Sequence, residues 1–157
     1  MSRAEGEFVV STDPEAVDVD AVHAYLTRAY WSAGIPRETV ARAIEGSIPF
    51  SVLHNGTQVG FARVITDRAT FAYLADVYVL EEYRGRGLSL KLMDAVVAHP
   101  DLQGLRRFLL VTRDAHGLYR RYGFTDVPDP SRLLWRANPD PYGAGARAPA
   151  TSNSETA

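Results

Sequence analysis

Residues 71–89 read Phe71-Ala72-Tyr73-Leu74-Ala75-Asp76-Val77-Tyr78-Val79-Leu80 and then Glu81-Glu82-Tyr83-Arg84-Gly85-Arg86-Gly87-Leu88-Ser89. The part up to Leu80 is β-rich, and both of its alternating sets are mostly apolar, as in a central strand covered on both faces. Asp76 alone interrupts it. From Arg86 to Ala98 the apolar positions Leu88, Leu92, Met93, Val96 and Val97 recur at helical spacing, with Pro100 beyond the end. A buried strand therefore runs into a buried helix through a turn that carries Gly85 and Gly87 between arginines. Glycines let successive backbone N–H groups converge on one spot, and the first helical turn adds unsatisfied donors and the positive end of the dipole. Arg84 and Arg86 add side-chain charge, so the turn is a candidate anion site. A solvated turn with charged flanks has the same local sequence, and its surroundings must separate the two.

On the N-terminal side, Phe8, Val9 and Val10 form a short apolar run. Asp18 or Asp20 is placed to cap a helix with Val19, Val22, Leu26, Ala29 and Tyr30 on one stripe, ending near Gly34. Pro36 suits a first helical turn, and Val40, Ala43 and Ile44 give a second short helix that stops at Gly46. Phe50 to Leu53 and Val59 to Ile65 flank Asn55-Gly56, a two-residue hairpin signal. On the C-terminal side, Phe108 to Val111 predicts a strand, and Asp114 is placed to cap a short helix that stops at Gly123. Phe124, Val127 and Leu133 to Trp135 predict closing strands. The element order is mixed α/β with an antiparallel first half.

The chain has 157 residues, 46% of them hydrophobic and 23% charged, the composition of one globular domain. We place that domain at residues 1–137 and expect a disordered tail over 138–157, where apolar periodicity stops. Cysteine is absent, which excludes disulfides, a cysteine nucleophile and thiolate zinc sites, and it fits a reducing cytoplasm. No apolar run reaches the roughly 18–20 residues of a membrane span, and Met1 to Gly6 lacks the regions of a signal peptide. Seventeen Lys+Arg against 19 Asp+Glu give a net charge of −2, which disfavours a nucleic-acid or anionic-membrane partner.

Two phosphate motifs fail. A dinucleotide fingerprint from Gly85-x-Gly87 needs glycine where Leu90 stands, and GxxxxGK does not occur. There is no GxSxG elbow, and His23, His54, His99 and His116 are too scattered for a metal pair on one helix face, so no metal is expected.

The strand, the loop Arg84 to Ser89, its helix, and Leu118-Tyr119-Arg120-Arg121-Tyr122-Gly123-Phe124 together resemble the GNAT superfamily of acetyl-CoA dependent N-acetyltransferases. The resemblance covers Phe50 to Val127. The family motif, Gln or Arg, two residues, Gly, one residue, then Gly or Ala, falls on Arg84, Gly87 and Ser89, where serine is a departure. The family's tyrosine ahead of a Gly-Phe pair falls on Tyr119. The resemblance implies a mostly antiparallel sheet flanked by helices, with a splayed central strand. It implies that backbone groups around Val77, Tyr78 and Val79 meet the pantetheine arm and acetyl carbonyl, and that Arg84, Gly85, Arg86, Gly87, Leu88 and Ser89 hold the pyrophosphate. An amide that relatives often supply from Asn maps to Thr112, a second departure.

The implied reaction moves acetyl from acetyl-CoA directly to a primary amine of a small molecule or peptide. Tyr119 is the implied general acid, and a packed core tyrosine is the reading without the motif. A backbone N–H near Tyr78 would stabilise the oxyanion. Asp76 is a candidate base because a carboxylate in an apolar strand is costly unless paired or used; Glu81, Glu82, His116 and a water relay are alternatives. Tyr30 and Trp31, before Ser32-Ala33-Gly34-Ile35-Pro36, stand where relatives build acceptor contacts. A non-catalytic acyl-CoA binding module is the competing function, and a homodimer is expected from family habit.

Overall fold

The structure is a computed structural model that describes residues 7–143. Residues 1–6 and 144–157, with the N-terminal start and most of the expected tail, lie outside the described residues. Five strands, β1 (Phe8–Ser11), β2 (Ile48–His54), β3 (Thr57–Thr66), β4 (Phe71–Val79) and β5 (Arg107–Leu109), lie side by side in that order. Neighbouring pairs are antiparallel except β4 and β5, which run parallel. Asn55 and Gly56 take φ of 50° and 83°, the left-handed pair that a two-residue hairpin between twisted strands requires.

Among the described residues four α-helices cover the sheet: α1 (Val19–Leu26), α2 (Arg37–Glu45), α3 (Leu88–Ala98) and α4 (His116–Arg120). Asp18, not Asp20, caps α1, its carboxylate accepting the Ala21 N–H at 3.0 Å. The apolar stripes sort the helices onto two faces. Leu88, Leu92, Met93 and Val96 of α3 pack with Phe50, Val52, Val64 and Leu74 of the sheet. Val22 and Leu26 of α1 and Val40 and Ile44 of α2 pack on the other face with Phe61 and Tyr78. Burial of each large apolar side chain in these layers stabilises the fold by about 1.5–3 kcal/mol. β4 thus has apolar contacts on both faces, as its sequence predicts. Among the described residues no helix is long and apolar enough to cross a membrane.

Several expectations need correction. α1 stops at Leu26, not near Gly34, so Ala29 and Tyr30 lie in the turns that follow it. β5 spans Arg107–Leu109, not Phe108 to Val111. α3 begins at Leu88, not at Arg86. The residue before α4 is Ala115, and its N–H is taken by Thr112 Oγ1 at 3.0 Å, not by Asp114. Phe124, Val127 and residues 133–135 form no strand; the only regular piece there is a 3₁₀ turn, Pro130–Arg132. Within 138–143, Tyr142 is half-buried against the α1 and α2 layer.

Candidate active site

β4 does not run straight. Its pairing with β3 slips between Phe61 and Arg63, which face Tyr78 and Ala75, so an extra residue bulges at Asp76. Asp76 takes φ of 56°, a left-handed conformation that aspartate tolerates better than most residues but that still stores strain. The bend is fixed by its carboxylate. Trp31 Nε1 donates to Oδ1 at 2.9 Å, and Arg63 Nε donates to Oδ2 at 2.6 Å. Arg63 in turn donates to Ser47 Oγ at 3.0 Å. Asp76 and Arg63 are largely buried, with 9% and 16% of their side chains exposed, so both charges are paired and hydrogen-bonded, the condition for carrying them inside.

Beyond the bend the sheet opens. β4 and β5 pair only at Phe71, Ala72 and Tyr73 against Arg107, Phe108 and Leu109. The Leu80 N–H bonds the Val59 carbonyl, and the Tyr78 carbonyl lies on the β3 side, where it would press on a side chain at Gly60. Strand alternation therefore turns the peptide groups of Val77 and Val79, rather than Tyr78, towards the open edge. The Tyr78 ring points into the α1 layer and stacks on Tyr25 with centroids 4.0 Å apart.

A cleft of about 150 Å³ occupies the gap. It brings together Tyr30, Trp31, Asp76, Val77, Thr112 and Tyr119, which sequence reasoning had picked from segments far apart in the chain. Leu74, Ala75, Leu110, Val111, Asp114 and Ala115 complete it. Tyr119 is buried, and burial with the nearby Tyr30 pushes its phenol up to about 12. It therefore keeps its proton throughout the neutral range. Tyr30 stands edge-on to Trp31 at 5.1 Å, and the Arg113 guanidinium carbon lies 3.7 Å from the centre of the Tyr30 ring.

The glycine turn lies at the end of β4, apart from the residues that line the cleft. Gly85 and Gly87 have φ of 80° and 76°, with open space where a Cβ would project, and no side chain caps the first turn of α3. A backbone with bare glycines at the positive end of a helix suits an anion. Arg84 is committed locally, donating from Nε to the Val79 carbonyl and from a terminal nitrogen to the Tyr25 hydroxyl, both at 2.9 Å. Arg86 lies over the rings of Tyr83 and Phe8 at 5.5 and 6.0 Å. Leu88 is a core residue, whereas Ser89 is partly exposed.

The other candidate bases lie outside the cleft lining. Glu81 is paired with Arg28 at 3.1 Å, Glu82 is exposed, and His116 is the exposed first residue of α4. Arg63 was missed. Its signal was available, since a charged residue inside the run Val59 to Ile65 is as anomalous as Asp76 in its own strand. Among the described residues no group of three or more His, Asp or Glu is placed to hold a metal ion.

Comparison with known proteins gives a consistent answer. A profile of the Acetyltransferase (GNAT) family matches residues 19–124. A candidate acetyltransferase from Gibberella zeae is 35% identical over 137 residues, covering 73% of this chain and 76% of that protein. A crystal structure of a candidate GNAT acetyltransferase from Xanthomonas campestris pv. campestris superposes with a TM-score of 0.84 at 54% identity, covering 87% of this chain and 97% of that one. A Clostridium acetobutylicum structure containing acetyl-CoA shares the fold, with a TM-score of 0.59 at 17% identity over 84% of this chain and 95% of its own.

Proposed function

The chain belongs to the acetyltransferase (GNAT) family and is an acyltransferase, and from that premise we propose that it acetylates a primary amine by direct transfer from acetyl-CoA in the cleft between β4 and β5. The observation that carries this reading is the cleft itself, where the splayed strand, Tyr119 and the aromatic pair Tyr30 and Trp31 line one space. The residues present fit the co-substrate. The Gly85 and Gly87 backbone, Leu88 and Ser89 would hold its pyrophosphate, and the peptide groups of Val77 with the N–H of Val79, whose carbonyl already accepts from Arg84, would hold the arm and the carbonyl. The side chains of Arg84 and Arg86 shape that turn from the protein side, and Thr112, whose hydroxyl oxygen already accepts the Ala115 N–H, keeps its O–H to donate.

Acetyl-CoA supplies the acetyl group as a thioester. Tyr30 and Trp31 form the acceptor wall and orient an amine towards the thioester carbon. Asp76, acting through water, takes the proton that the amine nitrogen loses as the new C–N bond forms. A backbone N–H of the open β4 edge, from Val77 or Val79, donates to the carbonyl oxygen as charge develops there. Tyr119 gives its proton to the sulfur as the C–S bond breaks, and solvent returns the proton collected at Asp76 to the tyrosinate. Every proton is accounted for, and no metal is called upon. The co-substrate and the absence of cysteine both suit the cytoplasm, which is the location proposed.

Thermal unfolding with acetyl-CoA, free CoA and NAD tests the ligand. Acetyl-CoA at about 100 times its dissociation constant adds roughly 2.7 kcal/mol of stability. A melting shift with acetyl-CoA but not NAD supports the reading, and thiol release in the presence of amines then tests transfer. A chain that shifts with acetyl-CoA yet releases no thiol with any primary amine overturns the assigned reaction.

A further inference from the structure

Arg113 is exposed, and its guanidinium carbon lies 3.7 Å from the centre of the Tyr30 ring. Stacking uses a face of the planar guanidinium and leaves its N–H edge for a second partner. None of the five ion pairs among the described residues includes Arg113. The ring beneath it belongs to the cleft, which Tyr30 and Trp31 both line. The aromatic pair thus holds a cation at the rim whose charge the fold does not use, and a side chain ordered beforehand loses less entropy when it binds. Asp114, the next residue, lines the cleft itself and is also outside those pairs.

Adjacent residues therefore set one positive charge at the rim and one negative charge in the wall. Resting on the amine reading above, we propose that the acceptor is a free amino acid. Its carboxylate meets the N–H edge of Arg113 in a two-pronged contact, and its amino end enters past Asp114, which attracts the ammonium form before the proton is lost. The C–N bond then forms as the C–S bond breaks, as described above, and the product is an N-acetyl amino acid. A lysine side chain within a peptide brings an amine with no carboxylate beside it. An amine bearing a phosphate brings nearly two negative charges against a single arginine with a carboxylate next to it, so the singly charged carboxylate is the better match.

Initial rates of thiol release with phenylalanine and alanine, each against its carboxamide, and with phosphoethanolamine, test this. The quantity read is the ratio of kcat/KM for carboxylate over carboxamide. Comparing that ratio between wild type and variant cancels the different basicity of the two amines. Arg113→Gln should lower it by about tenfold or more, and Arg113→Lys, which keeps the charge without the fork, should recover only part. Arg113 is exposed, so both variants keep a cooperative melt. N-acetylphenylalanine added with free CoA should raise the melting temperature of wild type more than that of Arg113→Gln, a readout that needs no turnover. An unchanged ratio in Arg113→Gln, a preference for phosphoethanolamine, or transfer to other amines with both amino acids refused overturns this inference and leaves acetyl transfer standing. No transfer to any primary amine overturns it together with the reaction on which it rests.

Discussion

Trp31 Nε1 donates a 2.9 Å hydrogen bond to Asp76 Oδ1, fastening the loop after α1 to the bend in the central strand. One side chain therefore sets both the path of β4 and the position of the aromatic pair that Trp31 makes with Tyr30.

Trp31→Phe keeps the ring but removes the donor. An oxygen of a largely buried carboxylate then loses a partner, at a cost of about 1–3 kcal/mol. The expected kinetic signature is a higher KM for the amine with unchanged acetyl-CoA affinity. A variant whose amine KM matches wild type would show that Trp31 takes no part in acceptor binding.

Removing the carboxylate is worse. Asp76→Ala leaves the Arg63 guanidinium, 16% exposed, without its ion-pair partner, and the expected loss is about 3–5 kcal/mol in chemical denaturation. Asp76→Asn keeps an oxygen for one donor and an accessible left-handed conformation, so it should cost less. Its turnover separates roles: an intact rate assigns Asp76 to positioning alone, and a loss that is recovered at higher pH assigns it to the amine's proton.

How much of this was legible in the sequence follows from where each signal resides. The hairpin at Asn55-Gly56 and the two-faced apolar pattern of β4 are local, and the structure reproduces both. The bulge at Asp76 is a mismatch of register between two strands, a property that neither strand carries alone. Arg63 stood out in its own run as a charged residue, but its partner, Asp76 at the bulge, is fixed by the fold. α4 begins after Ala115 with no side-chain cap, because the loop before it is held by the Thr112 hydroxyl accepting the Ala115 N–H and not by Asp114. Residues 133–135 have strand composition, but among the described residues they pair with no strand, since pairing depends on where the chain carries them and not on their composition.

Tyr119→Phe removes a hydroxyl from a packed ring and little else. Turnover at neutral pH should fall by about 10²–10⁴-fold, the usual contribution of general acid catalysis, while the melting shift with acetyl-CoA survives. Turnover within a factor of two or so of wild type would leave the phenol a packing role only.

The same residue predicts a pH dependence. The Tyr119 phenol lies near 12 in the folded chain against about 10 unfolded. Its folded value is raised, so its contribution is full below pH 10 and is lost as pH rises from about 10 to 12. A gap of about two units corresponds to about 2–3 kcal/mol. Wild type should therefore lose stability faster than Tyr119→Phe across that window in parallel denaturation curves; superimposable slopes would contradict a raised phenol.

Gly87→Ala places a Cβ on a residue with φ of 76°, at a strain of roughly 1–2 kcal/mol. Gly117→Ala, in α4 with open space around it, is the unstrained control. If the turn binds pyrophosphate, Gly87→Ala should also lose acetyl-CoA affinity, seen as a smaller ligand-induced melting shift. Lower stability with a full shift would place the anion elsewhere.

The pairing of β4 with β5 stops after Tyr73 and Leu109, and this leaves the sheet unfinished. On the reading proposed above, an extended molecule lodged in the gap would serve as a borrowed strand, taking up the peptide groups of Val77 and the N–H of Val79. The segment from β5 to α4 should then hold to the rest of the chain more firmly when loaded than when bare, which slower amide exchange there with acetyl-CoA would show. Occupancy would then be written into the rigidity of that half of the protein.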